Sequence, residues 1–164
     1  MRGNGVRLFG LVAALALLGG AGPERPSVQG QSQLAIGEYL VTIGGCNDCH
    51  TAGWNESPGK VPIANRLTGN PVGWTGPWGT SYAVNLRLLV QKLTEDAWVQ
   101  YIATMQPRPP MPWFNMRSMS EPDLRAMYTY IRSLGPAGKP TPDPLPPGQA
   151  PKTPYLDALP HNPS

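Results

Sequence analysis

An all-α fold of a few helices joined by long loops is what this sequence predicts, and three observations predict it. Apolar residues recur at helical spacing in three stretches: 32–44, 94–105 and 120–134. No stretch shows a convincing strand alternation. Cysteine occurs only at Cys46 and Cys49, and His50 follows directly. Cys46-Asn47-Asp48-Cys49-His50 has the C-x-x-C-H spacing at which c-type haem is attached. The loops are therefore expected to wrap around one covalently attached haem c.

Residues 1–30 read as an export signal. Arg2 and Arg7 form a positive start, and residues 8–18 are an uncharged apolar run. That run is about 11 residues, against roughly 20 needed to cross a bilayer, so a cleaved leader is expected over an uncleaved anchor. The small residues Gly19, Gly20, Ala21 and Gly22, and the later Val28-Gln29-Gly30, bracket cleavage between residues 20 and 31. Losing residues 1–30 removes Arg2, Arg7, Arg25 and Glu24. The 13 basic and 10 acidic residues of the whole chain then become 10 and 9. Two haem propionates bring the balance to about −1. With no polybasic run, nucleic acid is excluded as a partner, and membrane contact is expected only through a partner or an uncleaved leader.

The body spans residues 31–136, one small domain to which a buried porphyrin would add apolar core. Its first helix, residues 32–44, carries Leu34, Leu40, Val41 and Ile43. Gly37 inside it costs about 1 kcal/mol relative to alanine and so marks close approach of another helix. Gly44-Gly45 stops it and delivers the chain into the haem motif.

Within one helical turn, residues three apart project to the same side. Both thiols thus reach the two vinyl groups of one porphyrin, and His50 aims its imidazole at the iron as proximal ligand. Other readings fit less well. Zinc needs a second pair of ligands, and outside the motif only His161 remains, in a proline-rich tail. A redox dithiol belongs beside a βαβ pattern, which is absent from the sequence.

Residues 51–81 are rich in Gly, Pro and Asn without sustained period, with Trp54, Trp74 and Trp78 spaced through them. A loop this long inside a small domain wraps around something, and the tryptophans either cover a thin core or meet haem. Thr94-Glu95-Asp96 starts the second helix, with Trp98, Tyr101, Ile102 and Met105 on one stripe, ended by Pro107-Arg108-Pro109-Pro110. Ser120 caps the last helix with Asp123 at the capping-box position. Leu124, Met127, Ile131 and Leu134 form its stripe, Tyr128 and Tyr130 flank it, and Gly135-Pro136 stops it.

Between motif and last helix lie four candidates for a sixth iron ligand: Met105, Met111, Met116 and Met119. Met105 completes an apolar stripe and Met119 sits at a staple position before Ser120. Met111, held between Pro110 and Pro112, is the stiffest mount for a soft sulfur and the expected ligand. Met116 is the alternative. Ten of the 21 prolines lie after residue 135. The tail, residues 137–164, is therefore extended and polyproline-like, neither helix nor central strand. Tyr155, Leu156 and Leu159 are apolar anchors if it packs along the body; otherwise it is a free end.

With these segments in place, the chain resembles a class I c-type cytochrome. More narrowly, it is similar to the mono-haem bacterial cytochromes related to the cytochrome subunits of membrane-bound alcohol and sugar-acid dehydrogenases. The resemblance rests on Gly37-Glu38-Tyr39-Leu40, residues 46–51, Gly76-Pro77-Trp78-Gly79-Thr80 with Asn85-Leu86, and residues 108–113 leading into Ser120. It implies a cytochrome c-like fold, thioether bonds at Cys46 and Cys49, and His50 and Met111 as axial ligands. It also implies that Pro62, twelve residues past His50, offers its carbonyl to the second imidazole nitrogen.

Those dehydrogenase subunits carry three haem motifs and this chain one. The implied role is a small exported, periplasmic carrier rather than an enzyme, passing single electrons from a dehydrogenase donor to an oxidase or another cytochrome. A haem peroxidase would need a distal acid/base, and the body has no second histidine. A gas sensor would need a methionine that detaches. Absorbance reporting iron–sulfur ligation separates these from a carrier.

Overall fold

A computed structural model describes residues 30–159. Apart from Gly30, the expected leader lies outside the described residues. Within them the chain forms six α helices and one three-stranded sheet. The helices are α1 (Gln33–Ile43), α2 (Cys46–His50), α3 (Leu86–Gln91), α4 (Glu95–Thr104), α5 (Trp113–Arg117) and α6 (Glu121–Ser133). The strands are β1 (Gly73–Gly76), β2 (Gly79–Tyr82) and β3 (Tyr155–Asp157). The expected all-α, cytochrome c-like fold is thus corrected: the architecture is mixed α/β.

The strands come from residues 73–82 and from the proline-rich tail. Pro77-Trp78 is a two-residue turn that pairs β1 with β2 antiparallel, Thr75 opposite Thr80 and Gly73 opposite Tyr82. The β-forming residues Trp74, Thr75, Thr80 and Tyr82 are spaced by glycines, which hides their alternation. The tail then supplies β3, parallel to β1, with Tyr155 opposite Gly73. In the order β2-β1-β3 it is an edge strand, the position a proline-rich segment tolerates. Upstream, Leu145 exchanges both backbone hydrogen bonds with Thr80, each 3.0 Å. Tyr155, Leu156 and Leu159 remain exposed, so the tail is held by its backbone and not by these apolar side chains.

The three expected helices form, α4 and α6 with their expected caps and α1 with Ser32 as its cap. Ser32 Oγ accepts from Ala35 N–H at 3.3 Å, Thr94 Oγ1 from Ala97 N–H at 3.2 Å, and Ser120 Oγ from Asp123 N–H at 3.4 Å. α6 packs across α1 and also meets α3 and α4. A shared core of Val41, Leu67, Val90, Trp98, Ile102, Leu124, Met127 and Ile131 results. Trp98 donates its indole N–H to the Leu124 carbonyl at 2.9 Å, and Tyr128 its hydroxyl to the Leu93 carbonyl at 2.9 Å, so the polar edges of these two rings are satisfied. Gly37 is where α1 and α6 touch, under Tyr130. The apolar stripe of α1 is only partly used: Leu34 and Ile43 are exposed.

Candidate haem site

Gly45, at φ 65°, turns the chain out of α1 and serves as N-cap of α2, a left-handed conformation that glycine adopts readily. The single turn of α2 then presents Cys46 and Cys49 three residues apart, with His50 at its end. Both thiols are free and half-buried. Burial pushes the Cys46 thiol up to about 11, helped by the negative charge of Asp48, and shifts Cys49 in the same direction for the same reasons. A redox-active C-x-x-C instead works through a depressed thiol pKa. Among the described residues no three His, Cys, Asp or Glu side chains converge as a metal cage, so the zinc reading gains nothing.

His50 is buried, 7% exposed, and its Nδ1 lies 2.7 Å from the Val84 carbonyl oxygen. Burial lowers its pKa from the ordinary 6.5, against the raising effect of the Val84 bond. The ring is therefore neutral at pH 7, with its proton on Nδ1 facing Val84. Nε2 is left as the lone-pair nitrogen, the form a metal requires.

The loop 67–70 braces both partners of that bond. Gly69 N–H donates to the His50 carbonyl at 2.8 Å. Leu67 N–H donates to Thr51 Oγ1 at 2.8 Å, and that hydroxyl donates to Asn47 Oδ1 at 2.8 Å. From the same loop, Asn70 N–H donates to Ala83 at 3.1 Å, while the Leu67 carbonyl accepts from Leu86 N–H at 3.1 Å. Leu67 itself is fully buried at φ 59°, a left-handed conformation uncommon for a bulky residue. The surrounding hydrogen bonds and core hold it there.

The expected partner of the imidazole, Pro62, is elsewhere. Its carbonyl accepts from Asn65 N–H at 2.9 Å and opens a single 3₁₀ turn, Ile63–Asn65. Val84 takes the role because the 67–70 loop draws 83–86 against α2. A backbone carbonyl has no side-chain signature, so nothing in the sequence points to Val84. The neighbouring Asn85 did carry a signal, an N-cap residue before Leu86-Arg87-Leu88-Leu89-Val90. Its Oδ1 caps α3 by accepting from Leu88 N–H at 3.0 Å.

The four candidate methionines divide by their work. Met105, Met116 and Met119 pack on the core; Met111, half-buried between its prolines, is not among the side chains packed there. The core therefore has no claim on Met111. The tail braces its segment, with Arg108 donating to the Leu145 carbonyl at 2.8 Å. Trp113 follows at the start of α5, under the Arg117 guanidinium, 4.4 Å from the ring centroid.

The residues of α2 fit covalent haem on the chemistry of the donor set: two free thiols on one turn and a neutral, oriented imidazole. Large apolar side chains also stand exposed next to it. Ile43, three residues before Cys46, is 61% exposed, and Val84 is 43% exposed. Two shallow cavities, about 260 and 240 Å³, lie against the tail. Of the residues around His50, only Val84 and Asn85 line one of them, the smaller. No family model matches this chain, and no curated protein or solved structure matches it.

Proposed function

We propose that this chain is a mono-haem c-type cytochrome that carries single electrons outside the cytoplasm, from a donor such as a dehydrogenase to a respiratory acceptor. The observation that carries this reading is the 2.7 Å approach of His50 Nδ1 to the Val84 carbonyl, directly after two free thiols one helical turn apart. Haem c, when bound, supplies a one-electron ferric/ferrous couple. The chain's own residues do the rest. Cys46 and Cys49 provide the thioether attachments. His50 presents a neutral Nε2, fixed by Val84. Met111, free of core packing and stiffened by Pro110 and Pro112, would be the residue to offer the iron a second ligand, a thioether sulfur. A thioether there favours the ferrous state.

Ile43 and Val84, exposed beside α2, supply apolar surface for the porphyrin edge. The chain performs no bond chemistry in this role. It sets the potential and offers an edge to redox partners. Export follows from the leader-like start, because haem of this type is attached outside the cytoplasmic membrane. Among the described residues no helix is long and apolar enough to span a bilayer.

The test is a redox titration of purified protein with absorbance recorded throughout. A reversible one-electron couple, with an iron–sulfur band in the oxidised form, is expected. A protein that lacks the band and takes up cyanide or carbon monoxide readily is not a carrier of this kind.

A further inference from the structure

We propose that Asn85 is a positioning residue for His50, through which the segment after α6 tunes the axial imidazole; the proposal rests on the haem reading above. The Val84 carbonyl belongs to the Val84–Asn85 peptide unit, which is planar and rigid. Whatever fixes Asn85 therefore aims the oxygen that holds His50 Nδ1. Asn85 is 5% exposed, and its side chain is committed at both ends. Oδ1 accepts from Leu88 N–H, and Nδ2 donates to the carbonyls of Ala137 at 2.8 Å and Lys139 at 3.2 Å.

The chain leaving α6 is thus latched at Asn85, and two neighbours shape the latch. Arg87, 6% exposed, donates its guanidinium to the carbonyls of Ala64, Leu134 and Gly135, seating the end of α6 beside α3. Gly138, at φ 73°, lies where a β-carbon would come within 3.1 Å of Asn85 Nδ2 and 3.0 Å of Thr68 Cβ. Only glycine closes the 137–139 turn onto Asn85 without strain. A hydrogen bond from Nδ1 to a carbonyl raises the basicity of a metal-bound imidazole and so favours ferric iron. A looser latch means a weaker bond and a higher potential.

Asn85→Ser separates the two duties of the residue. Serine keeps a neutral cap for Leu88 N–H and deletes both donors to the 137–139 turn. In haem-bearing protein the variant is expected to raise the midpoint potential. In the reduced form it should let the His50 Nδ1 proton exchange with solvent roughly tenfold faster, the scale of one ordinary hydrogen bond.

Gly138→Ala, which leaves Asn85 in place, is expected to move both readings the same way, and it decides the matter if Asn85→Ser does not fold. Thr153→Val removes the bond from a more distant part of the tail to the Tyr82 hydroxyl, 2.9 Å, and should move neither. Unchanged exchange and potential in the latch variants, or equal shifts in Thr153→Val, overturn the proposal. Wild-type protein without covalent haem removes the haem reading and this inference together, and that outcome is recognised by the absence of any couple to titrate.

Discussion

Gly37 of α1 faces the backbone of α6 so closely that a β-carbon at this position would overlap the Ala126 carbonyl and crowd Tyr130 Cβ. The helix accepts a residue with poor intrinsic propensity because the approach lets α6 bury its stripe. Gly37→Ala is therefore expected to destabilise the protein by about 1–3 kcal/mol, as overpacking does, despite alanine's better propensity. Urea unfolding checks it. A stabilised variant would mean that α1 and α6 are not in contact here.

Thr51 joins α2 to the 67–70 loop through one hydroxyl that accepts from Leu67 N–H and donates to Asn47. Thr51→Val leaves a buried amide and a buried side-chain oxygen unpaired, at a cost of about 1–3 kcal/mol. Thr51→Ser should recover most of it. The same unfolding experiment reads both variants, and a loss in Thr51→Val no larger than that in Thr51→Ser would mean that the hydroxyl bonds do not hold the loop.

In haem-free protein, Cys46 should react with iodoacetamide slowly at neutral pH, because only the thiolate attacks. With burial holding its pKa near 11, its rate is expected to rise about tenfold per pH unit until that value. Alkylation followed by peptide mass analysis gives the profile. A plateau at or below the ordinary thiol value of 9.0 would restore the redox-dithiol reading.

Met111 and Met116 are five residues apart and have different surroundings. Met111→Ala is expected to abolish the iron–sulfur band, lower the midpoint potential and admit exogenous ligands. Met116→Ala should cost stability through lost core packing and leave band and potential nearly in place. α6 should survive either change, since its Ser120 cap and Leu124–Ile131 stripe are local. Loss of the band only in Met116→Ala would move the sixth ligand to α5.

What was legible in the sequence was local. Thr94 and Ser120 announced helix starts because a hydroxyl cap acts within three residues, and Gly37 announced a close approach because its cost in a helix needs a reason. The C-x-x-C-H turn was legible for the same cause. The elements without a clear sequence signal are a local hairpin, a strand far along the chain and a helix with a buried charge. β1 pairs with a strand some eighty residues later, and its two glycines mute the alternation. α3 buries Arg87 among Leu86 and Val90, which breaks its apolar stripe. That arginine is tolerated because three backbone carbonyls accept its hydrogen bonds. The Val84 carbonyl could not be read at all, since its position is set by a loop closure and not by a residue type.

Covalent haem on Cys46 and Cys49 is tested most directly by the intact mass of the purified, denatured protein after acidic organic extraction. The expected result is the mass of the polypeptide plus one haem, reduced to the bare polypeptide when both cysteines are replaced by serine. Wild-type protein at bare polypeptide mass, its two thiols still open to alkylation after production in a host that attaches haem c, would contradict it.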